Sequence, residues 1–322
     1  MSRWCCPHRN DPCAGARVTL AIIHADDLGL SDAVNRGIMC AHREGVVTSA
    51  SFLANFPASE AGARAALEQA PALEMGLHLN LTEGRALTGA SSLTNGDGHF
   101  HPLGRQLLAL AVGVLHEDDV YAEAAAQLAR ARALGLRISH LDGHEHVHLF
   151  GAARRAAFAL AQRESLALRR PREAVLATVG GSPTYAARRM LLRWGAAGAA
   201  WRAVRHAGAL IDLTGPRRGR SAAWLVDRLR ERGGTVEVLC HPGEADGPAG
   251  DPLRERRPFE LGLLTTPGLR EALGAAGVTL TTFARALSDR PHDTGSVTSL
   301  DETRNDLRAE LPARLDVPLL DH

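Results

Sequence analysis

The chain has 322 residues, a formal net charge of +1, and 45% hydrophobic against 23% charged residues, the balance of a globular, enzyme-sized protein. The near-neutral charge argues against the basic footprint of a nucleic-acid binder, and no apolar run approaches the length of a membrane span. Five cysteines, an odd number and mostly far apart, do not make a disulfide framework, and "MSRWCCPHRNDPCAGA" has no apolar signal region, so a cytoplasmic protein is expected.

Residues 1–17 read as a disordered leader, because Cys5, Cys6, His8 and Cys13 match no zinc spacing. The strand "RVTLAIIHA" then leads into Asp26 and Asp27, and "DAVNRGIMCAHREG" is a helix closing at Gly45. A second strand, "VVTSASFLA", is followed by the helix "SEAGARAALEQAP", with Ser59 as its expected cap and Pro71 as its stop. The strand "LEMGLHLNL" precedes a long Gly- and Ser-rich loop, "TGASSLTNGDGHFHPLG". Val120, Ala124, Leu128, Ala131 and Leu134 recur at helical spacing before the strand "LRISHLD", and "AARRAAFALAQRESL" is a further helix. Residues 174–234 read as mostly helical, after which "TVEVLCHPG" and "VTLTTFARAL" restore the strand–helix rhythm. From about Ser288 the chain turns polar, as a mobile tail would. This alternation predicts an α/β fold: a mostly parallel sheet covered by helices, open or closed into a barrel, in a single domain.

Active sites of parallel α/β folds gather at the carboxyl ends of the strands, and the unusual polar residues of this chain lie at such ends. Asp26 and Asp27 close the first strand, and adjacent like charges there need a cation or a proton to relieve them. In "MGLHLNL" the two-residue period puts Leu77, Leu79 and Leu81 on one face and Gly76, His78 and Asn80 on the other. "HLDGHEHVH", residues 140–148, packs four histidines and two acids into nine residues. His144, His146 and His148 share a face if that segment is extended; His144 and His148 share one if it is helical. His241 follows the strand "EVLC", where Cys240 reads as a buried, inert thiol on the opposite side. One aspartate and two histidines could hold a divalent metal, leaving the second aspartate as general base toward a water made acidic by that ion. A further histidine would protonate the leaving group. The residues alone point to metal-assisted hydrolysis of an amide, an ester or a phosphate.

At these same positions the sequence resembles the YdjC-like carbohydrate deacetylases, a family that includes the chitooligosaccharide deacetylases. "ADDLGLS" with "VNRGI", "GVVTSASFLAN", "GLHLNLTEG", "HLDGHEHVHLF" and "CHPG" occur in the family's order, over about residues 18–287. The resemblance implies a deformed TIM-like β/α barrel, similar to that of the NodB-type polysaccharide deacetylases, and hydrolysis of the acetamide of an N-acetylated sugar. It implies one divalent ion, Mg2+ or Zn2+, on Asp27, His78 and His144, with Asp26 as general base and His241 as general acid. Asp142, His146 and His148 are candidates for orienting a ligand from behind. Phe100 could stack on a sugar ring or merely pack its loop, and Arg172 of "RRPRE" is a candidate substrate contact. Glu145 departs from the family pattern by adding a negative charge beside the histidines. The partner expected is a small N-acetylated sugar, and a homodimer is left open. The alternatives carried forward are a metal-dependent phosphoesterase on a similar barrel and a non-catalytic carbohydrate-binding protein.

Overall fold

Residues 18–89, 92–171, 190, 192–214 and 220–288 are described in a computed structural model. The expected leader, the tail beyond residue 288 and Arg172 lie outside them.

Strand β1 (Thr19–Leu28) runs through the middle of the molecule, buried at every position except Leu20. Around it lie β2 (Ser49–Phe52), β3 (Glu74–Leu79), β4 (Ile138–Gly143), β5 (Ala167–Leu168), β6 (Ala209–Asp212), β7 (Gly234–Cys240) and β8 (Val278–Leu280). The order across the sheet is β5-β4-β3-β2-β1-β7-β6, with β8 also on β1, and every pairing is parallel. β7 follows one edge of β1 from Thr19 to Ala25. The other edge is divided: β8 takes Thr19–Ala21 and β2 takes His24–Leu28. The sheet therefore curls into a half-barrel, the deformed TIM-like form expected, as a single domain.

Helices on the outside connect the strands: α1 (Asp32–Arg43), α2 (Ser59–Gln69), α3 (Leu103–Val112), α4 (Glu117–Ala133), α5 (Gly151–Arg163), α6 (Ala222–Arg230), α7 (Arg257–Leu264), α8 (Leu269–Ala275) and α9 (Phe283–Leu287). Alternate residues of each strand feed two apolar layers beneath these helices. Ile23, Ala25, Val236 and Val238 join the layer that includes Ile38 of α1. Leu77, Leu79 and Leu141 join the layer of α4 and α5, with Phe158 and Trp201. The intervening residues face the inside of the curl and include buried polar groups: His24, His78, His140, Asp142 and Glu237. A core of this kind holds together only if its charges are paired.

Three sequence expectations change. Ala58, not Ser59, is the cap of α2; the Ser59 hydroxyl donates to the Leu53 carbonyl instead (2.7 Å). Within 174–234 the described residues include the strand β6, so the region is not simply helical. The Gly-rich loop is followed by α3, which the sequence reading did not separate from it. At the amino end of the sheet α9 forms a floor. Glu74 accepts hydrogen bonds from the Phe283 and Ala284 amides (2.6 and 2.7 Å), and Phe283 stacks on His140 with centroids 4.1 Å apart. No helix among the described residues is long and apolar enough to cross a membrane.

Candidate metal centre

Neighbouring residues on a strand point to opposite faces, so Asp26 and Asp27 should part company. A β-bulge prevents it. The register moves from Ala25 opposite Ala50 to Leu28 opposite Phe52, which leaves one extra residue in β1. Asp27 absorbs the irregularity with φ +75°, a left-handed conformation that aspartate tolerates better than most residues. Both carboxylates thereby reach the same cleft, of about 770 Å³, at the carboxyl end of the sheet.

Each acid has its own arginine. The Arg169 guanidinium grips Asp26 with two bonds of 2.7 Å, and also meets Asp142 (2.8 Å) and Glu237 (2.6 Å). Burial opposes ionisation of Asp26, but Arg169 overrides it and holds the carboxyl far below its ordinary value. On Asp27, Oδ2 accepts a 2.8 Å bond from Arg257, which is anchored in turn by Asp251 at 2.5 Å. Burial again opposes ionisation, and Arg257 with the two nearby histidines holds Asp27 well below the usual carboxylate range.

Asp27 Oδ1 faces His78 Nε2 at 3.4 Å and His144 Nδ1 at 3.2 Å. His78 is aimed there by β3, on the face the period-2 reading gave it. Its Nδ1 lies 2.7 Å from Asp142 Oδ1 and 3.0 Å from the Ser51 hydroxyl. Burial would lower its pKa, but Asp142 and Asp26 push it up to about 10. His144 follows β4, and Glu145 and His146 turn left-handed behind it (φ 50° and 58°). The segment is therefore neither an extended strand nor an ordinary helix, and its histidines divide differently from both expectations. His144 and His146 line the cleft beside Glu145, while His148 turns back with Nε2 3.1 Å from the Arg169 carbonyl. Burial pushes His148 down to about 4, so it stays neutral. The far nitrogen of His144 lies 3.1 Å from Glu83 Oε2; burial lowers its pKa, yet Asp27 and Glu83 bring it up to about 9.

A carboxylate oxygen of Asp27 and one ring nitrogen each of His78 and His144 lie within 4.8 Å of one another. Mixed oxygen and imidazole donors suit a divalent ion, and each histidine has a carboxylate behind it, Asp142 or Glu83, to fix its tautomer. These residues fit the ion expected. A second such group, His24, Asp26 and Asp142, is equally close, but there Arg169 already binds both acids.

His241 lines the cleft beyond β7, with Nε2 3.9 Å from Asp26 Oδ2. Its amide donates to Glu260 (2.6 Å), and Gly243 behind it touches α1: a Cβ on Gly37 would lie 2.3 Å from the Gly243 Cα. Cys240 is buried as expected; burial pushes its thiol well above the ordinary value, and Sγ donates to the His24 carbonyl (3.1 Å). Phe100 does not line the cleft. It is only 6% exposed and belongs to the apolar layer of Leu77 and Val120, a placement that favours the loop-packing alternative. The sequence reading missed Arg169, Arg257 and Glu83. Arg169 stands three residues before Arg172, directly after β5, and its strand-end position was the available signal; Arg257, the first residue of α7, sits in a charged stretch of sequence that offers none.

Residues 20–275 match the profile of the YdjC-like protein family. The chain is 34% identical to a carbohydrate deacetylase of Geobacillus stearothermophilus over 271 residues, which covers 81% of this chain and 96% of that protein. It is 30% identical to a carbohydrate deacetylase of Vibrio campbellii over 273 residues, 84% and 97% of the two chains. A crystal structure from Enterococcus faecalis V583, provisionally described as a cellobiose-phosphate cleavage protein, superposes with a TM-score of 0.65 at 25% identity, covering 84% and 98%.

Proposed function

The chain belongs to the YdjC-like family, and from that premise we propose that it hydrolyses the acetamide of an N-acetylated sugar or small glycoconjugate, releasing acetate and an amine. The observation that carries this reading is the convergence of Asp26, Asp27, His78, His144 and His241 on one cleft. A divalent ion, Mg2+ or Zn2+, on Asp27, His78 and His144 would supply Lewis acidity toward the acetamide carbonyl and the attacking water.

The protein's own groups account for the proton transfers. Asp26, kept anionic by Arg169, accepts the proton of the attacking water. His241, 3.9 Å away, donates a proton to the departing amine nitrogen, so base and acid stand side by side on one wall. Asp142 and Ser51 hold His78 in a single orientation. Because Arg169 joins Asp26 to Asp142, it also fixes the base relative to that histidine. In this reading the substrate is a small molecule met in the cytoplasm.

The phosphoesterase alternative is disfavoured by Arg169. Two-metal phosphate chemistry needs a second cation about 4 Å from the first, and the acids available for it are already bonded to a guanidinium. The test is acetate release from a panel of N-acetylated mono- and oligosaccharides, with and without chelator. Release that stops with chelator and returns with added metal is expected. Absence of release from every member of the panel would overturn the reading in favour of a carbohydrate-binding protein.

A further inference from the structure

We propose that Glu83 is a positioning residue: its carboxylate holds the far nitrogen of His144, so that the near nitrogen is presented to the ion shared with Asp27 and His78. The inference rests on the metal assignment above and is independent of the deacetylation.

The loop that carries this one exposed acid is fastened from two sides. Glu83 is half exposed at the mouth of the cleft, yet its Oε2 lies 3.1 Å from His144 Nε2. A free surface carboxylate would seldom stay there, because a flexible side chain gives up rotamer entropy to do so. The backbone beneath it is fixed. Fully buried Asn80 accepts hydrogen bonds from the Thr82 and Glu83 amides (3.0 and 3.1 Å) and donates to the Glu83 carbonyl (2.7 Å). Asn55 donates to the same carbonyl (3.0 Å) and to that of Arg85 (2.9 Å).

From the other side comes Glu123 of α4, a carboxylate with no exposure at all. It accepts from the Leu87 and Thr88 amides (3.1 and 2.9 Å) and from the Thr88 hydroxyl (2.7 Å). Gln127, one turn along, bonds Glu123 (2.8 Å) and closes a two-way pair with the backbone of Asn80 (2.6 and 3.0 Å). Burying a carboxylate is unfavourable unless its bonds are satisfied, and here they are satisfied by the loop that carries Glu83. α4 is thus a strut, and what it props is the contact on His144. Asp142 does the same for His78 and Arg257 for Asp27, so each candidate ligand has a partner fixing its far side.

The test is a Zn2+ titration of metal-free protein against a chromophoric chelator, for the wild type, Glu83→Ala and Glu83→Gln. Glu83→Ala is expected to bind Zn2+ roughly 10–100-fold more weakly, the usual loss when a ligand's supporting carboxylate is removed. Its metal-free melting temperature should fall only slightly, since Glu83 is half exposed and supplies only part of the raised His144 value. Glu83→Gln should recover most of the affinity, because the amide oxygen still accepts from His144 Nε2–H. In the 15N spectrum of the zinc-loaded wild type, His144 should be protonated at Nε2. Wild-type affinity in Glu83→Ala would overturn the proposal. So would a Glu83→Gln as weak as Glu83→Ala, which would mean that the carboxylate acts through its charge or as a ligand itself. The titration reads binding without turnover, so a failed acetate assay and a failed Glu83 result are separate outcomes.

Discussion

Asp26 and Asp27 are adjacent, equally buried and both anionic, yet their surroundings give them different work. Asp26 spends both oxygens on Arg169, whereas Asp27 keeps Oδ1 toward two imidazoles. Asp26→Asn should therefore keep its metal and lose about 10²–10⁴ in turnover, while Asp27→Ala and His78→Ala should lose metal on dialysis. Elemental analysis beside acetate release checks both, and near-normal activity in Asp26→Asn would remove it as the base. A second expectation concerns pH. His78 and His144 are raised to about 10 and about 9, so in metal-free protein both rings are protonated at neutrality. An incoming ion must displace those protons, and its apparent affinity should climb with pH and level off above about 10. The linked stability has the opposite sign. Folded values above the ordinary 6.5 stabilise metal-free protein fully below pH 6.5, and that share disappears as pH rises through about 9 and then about 10. Calorimetric titration in buffers of different ionisation enthalpy should detect the released protons. At this scale the sequence was informative where chemistry is concentrated. Aspartates and histidines at strand ends announce themselves, but Arg169 and Arg257 act as counter-charges, and an arginine looks the same in sequence whether it is buried or solvated.

Elements were legible in proportion to their periodicity. β3 alternates apolar and polar residues because one face meets helices and the other meets the charged interior, whereas β1 reads as an apolar run that ends in Asp26 and Asp27; both patterns are visible in the chain. α3 has no such stripe: Leu108 and Val112 are exposed while Leu110 is buried, so its pattern is apolar all round. α7 opens on Arg257 and a proline, which read as loop, and β6 has only four residues. The bulge in β1 has no sequence signature, although it decides where Asp27 points. Helix packing also reaches the site. α1 meets the turn after β7 backbone to backbone at Gly37 and Gly243, and a methyl group there would stand 2.3 Å from the Gly243 Cα. Gly37→Ala should cost about 1–3 kcal/mol as overpacking. It should also depress kcat more than it raises KM, since the displaced turn carries His241. Thermal unfolding and steady-state kinetics would show both effects; unchanged kcat would detach His241 from this contact.

Over the whole molecule, the half-barrel encloses charge where most barrels enclose aliphatic side chains. Arg169 is fully buried among Asp26, Asp142 and Glu237, with His24 3.3 Å from Asp26 and 3.2 Å from Asp142. Removing one partner from such a cluster leaves the others buried and unpaired, so Arg169→Met should cost about 3–5 kcal/mol in a denaturant titration, far more than any surface arginine. The same guanidinium sets the metal stoichiometry. The two groups of potential ligands share no residue but meet through His78, whose Nδ1 faces Asp142 and whose Nε2 faces Asp27. With Arg169 fixed on one group and an ion on the other, a second ion would have to expel Arg169 against three carboxylates. Dialysed protein loaded with Zn2+ should hold one equivalent per chain. Two equivalents would mean that Arg169 yields its place, and would return a two-metal phosphoesterase to consideration.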